Sequence, residues 1–169
     1  IDFIENAAND YTVFGATYSL GPNTQNMYAM RFTNSAGIPI IAWENAYDGT
    51  EGERTAKAIK SGDGGYIMAG LGQALGSTLE NEGLVAKINS SGDLVWNSYI
   101  GIDDYETYCI AEAGGASYVA GGLVNAGNAF MHYFKIDQSG YNCNDQGSGL
   151  TATALTSIIN TTFSIGVSN

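Results

Sequence analysis

Residues 66–70, Tyr66-Ile67-Met68-Ala69-Gly70, form a short, unbroken apolar run that ends in glycine. A run of this length without a polar interruption predicts a strand that is buried on both faces. The closing glycine permits a neighbouring backbone to approach closely, or a bulge, where strands crowd together. Similar runs at 11–15 and 117–121 also end in glycine, 55 residues earlier and 51 residues later. These spacings predict an internal repeat of about 50 residues.

A turn motif recurs in the same order along each unit. An Asn or Asp followed three residues later by glycine stands at 34–37, 89–92 and 137–140, with steps of 55 and 48 residues. In such a turn the Asx side chain caps the first position, and glycine takes the left-handed backbone at the fourth. A tryptophan follows each of the first two turns. The register of the third unit stays open by one residue. The landmarks of the repeat are Gly15, Gly70, Gly121, Gly37, Gly92, Gly140, Trp43 and Trp96.

Each unit has room for four short strands. Residues 84–88 and 94–96 are typical of the two strands of a hairpin, and the stretch around Ile110 is expected to supply a fourth strand. No segment carries an apolar stripe of helical period longer than about two turns, so helix should be minor. Four short strands in about 50 residues, repeated, are typical of four-stranded antiparallel β-propeller blades. A β-solenoid and a β-sandwich are the alternative architectures.

The repeat divides residues 1–145 into about two and a half units, near 4–58, 59–109 and 110–145. A propeller ring needs typically about 4 to 8 blades, so this number of units cannot close a ring alone. We therefore expect the units to be stabilised by further blades of the same polypeptide or by copies of the chain. Unpaired sheet edges are otherwise a liability that soluble proteins protect.

The last part of the chain differs in composition. Residues 146–169 are rich in Thr, Ser and Ile, and the segments 150–155 and 161–165 alternate well enough to form strands. They could complete the third unit, pair with another chain or form an extended stalk. We expect residues 150–167 to contribute at a junction between blades or between copies.

The middle unit carries a family resemblance. Asp63-Gly64-Gly65-Tyr66-Ile67-Met68-Ala69-Gly70, followed by Lys87-Ile88-Asn89-Ser90-Ser91-Gly92-Asp93-Leu94-Val95-Trp96, resembles the blade repeat of secreted and surface-attached bacterial and archaeal β-propeller proteins, of the type DGGYIxAG and KxNxxGxxxW. The first unit has Asn9-Asp10-Tyr11 in place of DGGY, and the third has neither DGGY nor the tryptophan. The resemblance implies an extracellular scaffold or binding module rather than a particular chemistry.

Composition excludes several classes of partner. The chain of 169 residues has 17 Asp and Glu against 6 Lys and Arg, a net charge of −11. Phosphate backbones and anionic membrane surfaces would repel it, so we expect no nucleic-acid partner. No apolar run approaches the roughly 18 residues of a membrane span, so we expect no membrane insertion. An acidic, lysine-poor composition rich in Tyr, Thr and Gly fits an extracellular or cell-surface location.

The candidate site residues include the two cysteines and the single histidine of the chain. Cys109 and Cys143 are too few for a disulfide-rich scaffold and lack the spacing of a zinc or redox site. One bridge between them and two buried free thiols are both compatible with the sequence. The single histidine, His132, has no nucleophile elbow or P-loop beside it. A histidine on a sheet face is therefore favoured over a catalytic residue, and we expect no enzymatic activity.

Acidic and aromatic residues follow each tryptophan. The acidic ones are Asp48, Glu51 and Glu53 in the first loop and Asp103, Asp104 and Glu106 in the second. Hard oxygen ligands in a repeated loop could hold Ca²⁺, but no EF-hand spacing is present and a plain solvated loop is favoured. Tyr99, Tyr105 and Tyr108 lie near the second loop. Exposed tyrosines stack on sugars or anchor protein contacts, although strand packing is the favoured role.

Three functions follow from these observations. The first is a non-enzymatic extracellular structural or adhesive repeat module, which contacts cell-surface glycans or proteins. The second is a self-assembling filament or surface-array subunit, in which edge strands of different copies pair. The third, least favoured, is a carbohydrate-binding propeller domain. The incomplete number of repeats favours the second over the third.

Overall fold

The computed structural model describes residues 1–18, 25–49, 52–72, 81–100, 105–124, 130–141 and 151–154, with the backbone alone for Phe130 and for 151–154. These residues form twelve strands and no helix. The all-β class predicted from the repeat is therefore confirmed.

The strands form three antiparallel sheets. The first sheet contains β1 (Asp2–Ala7), β2 (Asp10–Thr17), β3 (Asn26–Ser35) and β4 (Ile38–Asp48). The middle sheet contains β5 (Arg54–Lys60), β6 (Tyr66–Gly72), β7 (Glu82–Ile88) and β8 (Leu94–Ile100). The third sheet contains β9 (Tyr105–Ala113), β10 (Ser117–Val124) and β11 (Phe130–Ile136). In every sheet, strands that are consecutive in sequence are neighbours.

The first sheet begins two residues before the first predicted unit, and the second and third sheets each begin five residues before theirs. Ile110 lies in β9, the first strand of the third sheet, and not in a fourth strand of the preceding unit. The expectation for Ile110 was wrong because strand β9 reaches the middle sheet by packing against its face. Adjacent position in the chain does not distinguish such packing from pairing along an edge.

The tail contributes one described strand, β12 (Thr151–Ala154), which adds to the first sheet. It runs antiparallel to β4, with Thr151 opposite Asp48 and Ala154 opposite Asn45. This pairing was not among the alternatives that the sequence suggested. The second predicted tail strand, at 161–165, lies outside the described residues.

The three sheets stack face to face, and the middle sheet is covered on both sides. One core lies between the first and middle sheets and includes Phe14, Met27, Tyr47, Tyr66, Met68 and Leu84. A second core lies between the middle and third sheets and includes Ile67, Val85, Ile110, Tyr118, Ala120 and Ile136. Every residue of β6 and β7 is buried, as the unbroken apolar run at 66–70 predicts. We call the face of each sheet that points to the following sheet its forward face, and the opposite one its rear face.

The second and third landmark turns share one geometry. The Gly92 N–H donates to the Asn89 carbonyl at 3.1 Å, and the Gly140 N–H donates to the Asp137 carbonyl at 3.1 Å. Both glycines have left-handed backbones, with φ of 84° and 86°. The Asx side chain caps each turn, because Asn89 Oδ1 accepts from the Ser91 N–H and Asp137 Oδ1 accepts from the Ser139 N–H.

The first landmark turn differs from this expectation. Ser35 pairs directly with Ile38, so only Ala36 and Gly37 form the loop, and both have positive φ. Two consecutive left-handed residues are the geometry of a tight two-residue hairpin. The hairpin is also longer than its counterpart in the middle sheet, because β3 and β4 have 10 and 11 residues whereas β7 and β8 have 7 each.

A close backbone contact resolves the register of the third unit. At Gly70 an added Cβ would lie 1.8 Å from the Arg54 carbonyl oxygen, beside a bulge in β5. The corresponding contact in the third sheet belongs to Gly122, whose Cβ would lie 1.7 Å from the Glu106 carbonyl oxygen. The landmark at Gly121 is thus displaced by one residue, and Gly122 occupies the position equivalent to Gly70.

Candidate functional site: the repeated interface between sheets

The same contact joins each sheet to the next through a tryptophan. Trp43 of β4 donates its indole N–H to the Ser90 carbonyl at 3.0 Å. Trp96 of β8 donates its indole N–H to the Gln138 carbonyl at 2.9 Å. Ser90 and Gln138 each hold the second position of a landmark turn in the following unit. Trp43 and Trp96 therefore occupy equivalent positions in successive sheets.

The landmark glycines lie directly beneath these indole rings. A Cβ at Gly92 would come within 2.7 Å of the Trp43 ring, and a Cβ at Gly140 within 2.6 Å of the Trp96 ring. In both turns glycine is therefore needed twice, for its backbone conformation and for the close approach of the indole. At Gly37 an added Cβ would meet no atom within 4 Å, which agrees with the absence of a covering tryptophan on that turn among the described residues.

A tyrosine from the following sheet completes each contact. The rings of Tyr66 and Trp43 lie 6.4 Å apart, and those of Tyr118 and Trp96 also lie 6.4 Å apart. At the first interface the Tyr66 hydroxyl accepts a hydrogen bond from Thr12 at 2.8 Å. It also donates one to Asn6 at 2.7 Å. These bonds satisfy a polar group that burial would otherwise penalise.

A basic residue of the third strand lies at the same position in all three sheets. Arg31 is opposite Thr12, Lys87 is opposite Ile67, and Lys135 is opposite Val119. In the second strand of each sheet, the residue opposite the basic side chain directly follows a tyrosine: Tyr11, Tyr66 or Tyr118. The first two residues are ion-paired within their own sheets, Arg31 with Asp10 at 2.6 Å and Lys87 with Asp63 at 2.6 Å. Lys135 is exposed on the forward face of the third sheet.

These ion pairs shift the acidity of the carboxyl groups. Hydrogen bonds from Lys87 and from Ser61 lower the pKa of Asp63 to about 2. The hydrogen bond from Arg31 lowers the pKa of Asp10. Each carboxylate is therefore charged at neutral pH and holds its basic partner beside the tryptophan on the adjacent strand, Trp43 for Arg31 and Trp96 for Lys87.

A backbone hydrogen bond also recurs at each interface, at the end of the sheets opposite the tryptophan contact. The Glu53 N–H donates to the Gln25 carbonyl at 2.8 Å, and the Tyr105 N–H donates to the Asn81 carbonyl at 3.1 Å. Each donor precedes or begins the first strand of its sheet, and each acceptor precedes the third strand of the sheet before. The two interfaces thus share contacts at both ends of the sheets.

Two outer faces of the stack are left without a covering sheet among the described residues. On the rear face of the first sheet Phe3 is 69% exposed, and the rings of Tyr11 and Phe32 lie 5.6 Å apart. On the forward face of the third sheet Met131 is 91% and Tyr133 is 85% exposed. Exposed apolar surface on an ordered sheet marks a candidate contact surface.

The first acidic loop is not wholly solvated, contrary to expectation. Glu53 is fully buried, with the Tyr99 hydroxyl 3.4 Å from its Oε1. Burial first, and then the nearby Glu53 carboxylate, raise the pKa of Tyr99. Glu53 directly precedes β5, and its backbone N–H donates to the carbonyl of Gln25, just before β3, while its side chain lies against Tyr99 of β8. Asp48 is half-buried at the end of β4, and Glu106 is half-buried in β9.

The calcium expectation stays a prediction. Glu51, Asp103 and Asp104 lie outside the described residues. Within the described part of the chain, no group of three or more His, Cys, Asp or Glu side chains is arranged to hold a metal ion.

The remaining candidates occupy ordinary strand positions. His132 lies in β11 with its ring 4.6 Å from that of Tyr105 and stacked on Phe134 at 5.6 Å, and burial lowers its pKa. Tyr108 is exposed at the bulge of β9. The Cys109 thiol donates to the Gly121 carbonyl at 3.2 Å. Cys143 lies outside the described residues, so its pairing with Cys109 stays a prediction.

No family model matches the chain, and no curated protein matches it significantly. Among the described residues no helix is long and apolar enough to cross a membrane.

Sequence reasoning missed the polar partners of the landmarks. The carbonyls of Ser90 and Gln138 carry no side-chain signal, so nothing in the sequence marks them as acceptors. The basic row did leave a signal, since Arg31 and Lys87 each precede a landmark turn by two or three residues. The burial of Glu53 depends on contact with Tyr99, 46 residues away in sequence, and has no local signal.

Proposed function

We propose that the chain is a non-enzymatic, extracellular structural or adhesive repeat module whose sheets are blades of β-propeller type. The observation that carries this proposal is the repeated interface. Two successive pairs of sheets are joined by the same indole-to-carbonyl bond, the same glycine beneath the ring and the same tyrosine. An interface used twice in one chain suits a protein that extends by adding sheets.

The strand pattern supports the blade interpretation. Each sheet is an antiparallel meander, and neighbouring sheets pack face to face around a shared apolar core. Blades of a propeller have this arrangement around a common axis. Three sheets are too few for a ring, which typically needs about 4 to 8. Further blades of the same polypeptide, or copies of the chain, would supply the rest.

Charge and side-chain use support the remaining parts of the proposal. The net charge of −11 disfavours nucleic acid and anionic membrane surfaces. The resemblance to secreted and surface-attached propeller proteins favours an extracellular location. Exposed Tyr133, Tyr108 and Tyr141 suit contact with cell-surface proteins or glycans. The ring of His132 packs among aromatic residues.

A filament or surface-array subunit is the second candidate, and β12 favours it. This short strand pairs with the outer edge of β4 and not with the third sheet from which the chain arrives. A strand that joins a distant sheet edge within one chain is suited to joining the same edge in a neighbouring copy. A carbohydrate-binding propeller domain is the least favoured candidate.

Surface labelling tests the proposed function. An antibody raised against the 169-residue chain is applied to intact cells of the source organism, before and after treatment with an external protease. We expect labelling of intact cells, or recovery in the medium, and loss of the cell signal on proteolysis. A cytosolic enzyme followed in parallel should resist the protease. Labelling that appears only after cell lysis would contradict an extracellular role.

A further inference from the structure

We propose that the rear face of the first sheet in one copy binds the forward face of the third sheet in a second copy, so that the repeated interface is used once more, head to tail. The proposal rests on the repeat-module function proposed above and names its partner. Each step compares residues at equivalent positions of the three sheets, which the strand pairing defines.

The rear face of the first sheet carries the aromatic row that the other two sheets bury. Tyr11 lies opposite Phe32, as Tyr66 lies opposite Ile88 and Tyr118 lies opposite Ile136. Tyr66 is 1% and Tyr118 is 3% exposed, because the preceding sheet covers each of them. Tyr11 and Phe32 are half-buried against each other. The first sheet therefore presents the residues that accept a preceding sheet.

The adjacent row of the rear face is apolar at the same positions. Val13 lies opposite Met30, where the middle sheet has Met68 opposite Ala86 and the third has Ala120 opposite Phe134. Phe3, at the position of the buried Ala58, is the most exposed member of this row. A large apolar side chain that is exposed at a position buried elsewhere in the repeat indicates a surface that a further sheet covers.

The forward face of the third sheet carries the matching set. Lys135 is equivalent to Arg31 and Lys87, each of which lies beside the tyrosine of the following sheet. In a head-to-tail contact Lys135 would reach Tyr11 in the same way. Met131 and Tyr133 form the apolar part of this face. Tyr133 holds the position of Val85, which is buried in the core between the middle and third sheets.

A second copy is the occupant that fits both faces. Both faces belong to the same chain. The rear face corresponds to the surfaces that accept a preceding sheet in the internal interfaces, and the forward face corresponds to the surfaces that accept a following sheet. Of the fully exposed charges, Glu5 lies on the rear face and Lys135 on the forward face, and each face also carries one half-buried carboxylate, Glu44 on the rear and Glu106 on the forward face. The contact is heterologous, so it forms either a closed ring or an open chain of copies. Among the described residues no tryptophan follows β11, so this interface should be weaker than the internal ones.

Net charge sets how the association responds to salt. Copies carrying −11 each repel one another at long range, and salt screens that repulsion over roughly 10 Å at about 0.1 M. Added salt should therefore strengthen the association instead of weakening it. Contacts built on ion pairs would respond in the opposite direction.

The test measures self-association of the 169-residue chain by sedimentation velocity, from micromolar to submillimolar concentration, at low salt and at about 0.5 M. Phe3→Glu blocks the rear face, and Tyr133→Glu blocks the forward face. We expect the unmodified chain to form oligomers and each variant alone to associate at least about tenfold more weakly. An equimolar mixture of the two variants should stop at a heterodimer, because one intact face of each kind remains.

Controls separate this contact from misfolding and from other modes of association. Val95→Glu changes a residue that is 54% exposed in the middle sheet, and it should leave the association unchanged. Met131→Glu should reproduce Tyr133→Glu, and near-ultraviolet circular dichroism should show native packing in every variant. A chain that stays monomeric throughout overturns the proposal. A mixture that stays monomeric, or association that survives both blocks, also overturns it. A monomeric chain leaves the repeat-module function standing, since surface labelling decides that function independently.

Discussion

The first and middle sheets share a four-strand meander and the same spacing between their landmark glycines. Among the described residues, however, neighbouring sheets cover both faces of the middle sheet and only one face of the first. Ala58 of β5 is 2% exposed, whereas Phe3, at the same position of β1, is 69% exposed. The sequence pattern thus determines which side chains share a face. Whether that face is buried depends on the sheet stacked against it.

Alanine substitution of the equivalent glycines in the second strands of the first and middle sheets should show the largest difference between these sheets. Gly70→Ala would place Cβ 1.8 Å from the Arg54 carbonyl oxygen, which is rigid backbone. Gly15→Ala, at the equivalent position of the first sheet, would place Cβ 3.6 Å from Ile1, an ordinary contact. We expect Gly70→Ala to lower the free energy of unfolding by about 3 kcal/mol and Gly15→Ala to change it by less than about 0.5 kcal/mol.

Urea unfolding of the two variants measures this difference. Gly122→Ala should behave like Gly70→Ala, because its Cβ would lie 1.7 Å from the Glu106 carbonyl oxygen. Equal effects at Gly15 and Gly70 would contradict the bulge as the cause. A large effect at Gly121 with a small one at Gly122 would contradict the register of the third sheet.

The comparison also shows how far the sequence could predict the fold. The all-β class and the apolar run at 66–70 follow from local composition, because turn residues and strand periods are local properties. The caps on the turns at 89–92 and 137–140 are local as well, since each Asx side chain bonds to the backbone two residues on. These features do not require knowledge of any neighbouring sheet.

Features that depend on distant parts of the chain could not be predicted. The register of the third sheet turns on one bulge residue, Tyr108, and a slip of one residue leaves the spacings almost unchanged. Glu53 is buried through contact with Tyr99, 46 residues away in sequence. The pairing of β12 with β4 joins residues about 100 positions apart in the chain, Thr151 and Asp48. Each of these depends on contact with a strand or residue elsewhere in the chain, which local composition does not specify.

Removing the indole donors compares the two internal interfaces. Trp96→Phe removes the hydrogen bond to the Gln138 carbonyl, and we expect it to lower the free energy of unfolding by about 1 kcal/mol. Trp43→Phe should cost less, because Arg31 also donates to the Ser90 carbonyl, at 3.3 Å. Val95→Ala is the matched control at an exposed position beside Trp96, with an expected change below about 0.5 kcal/mol. A larger loss for Trp43→Phe than for Trp96→Phe would show that the two interfaces are not equivalent.

The smallest expected effect on stability concerns the ion pairs that Asp63 and Asp10 form with Lys87 and Arg31. Asp63 has a pKa lowered from 3.8 to about 2, chiefly by its hydrogen bonds from Lys87 and Ser61. A carboxyl group whose pKa is lower in the folded state stabilises the fold above its unfolded pKa, and that stability is lost as pH falls towards the folded value. The contribution of Asp63 should therefore be present above about pH 4 and disappear between about pH 4 and pH 2.

Because its side chain is 56% exposed, Asp63→Asn should cost less than about 1 kcal/mol at neutral pH. Asp10→Asn in the first sheet should cost more, since Asp10 accepts two hydrogen bonds from Arg31 and is 18% exposed. Urea unfolding at a series of pH values should show a shallower acid limb for Asp63→Asn than for the unmodified chain. An acid limb of unchanged slope would show that Lys87 does not depend on Asp63 for its place in the interface.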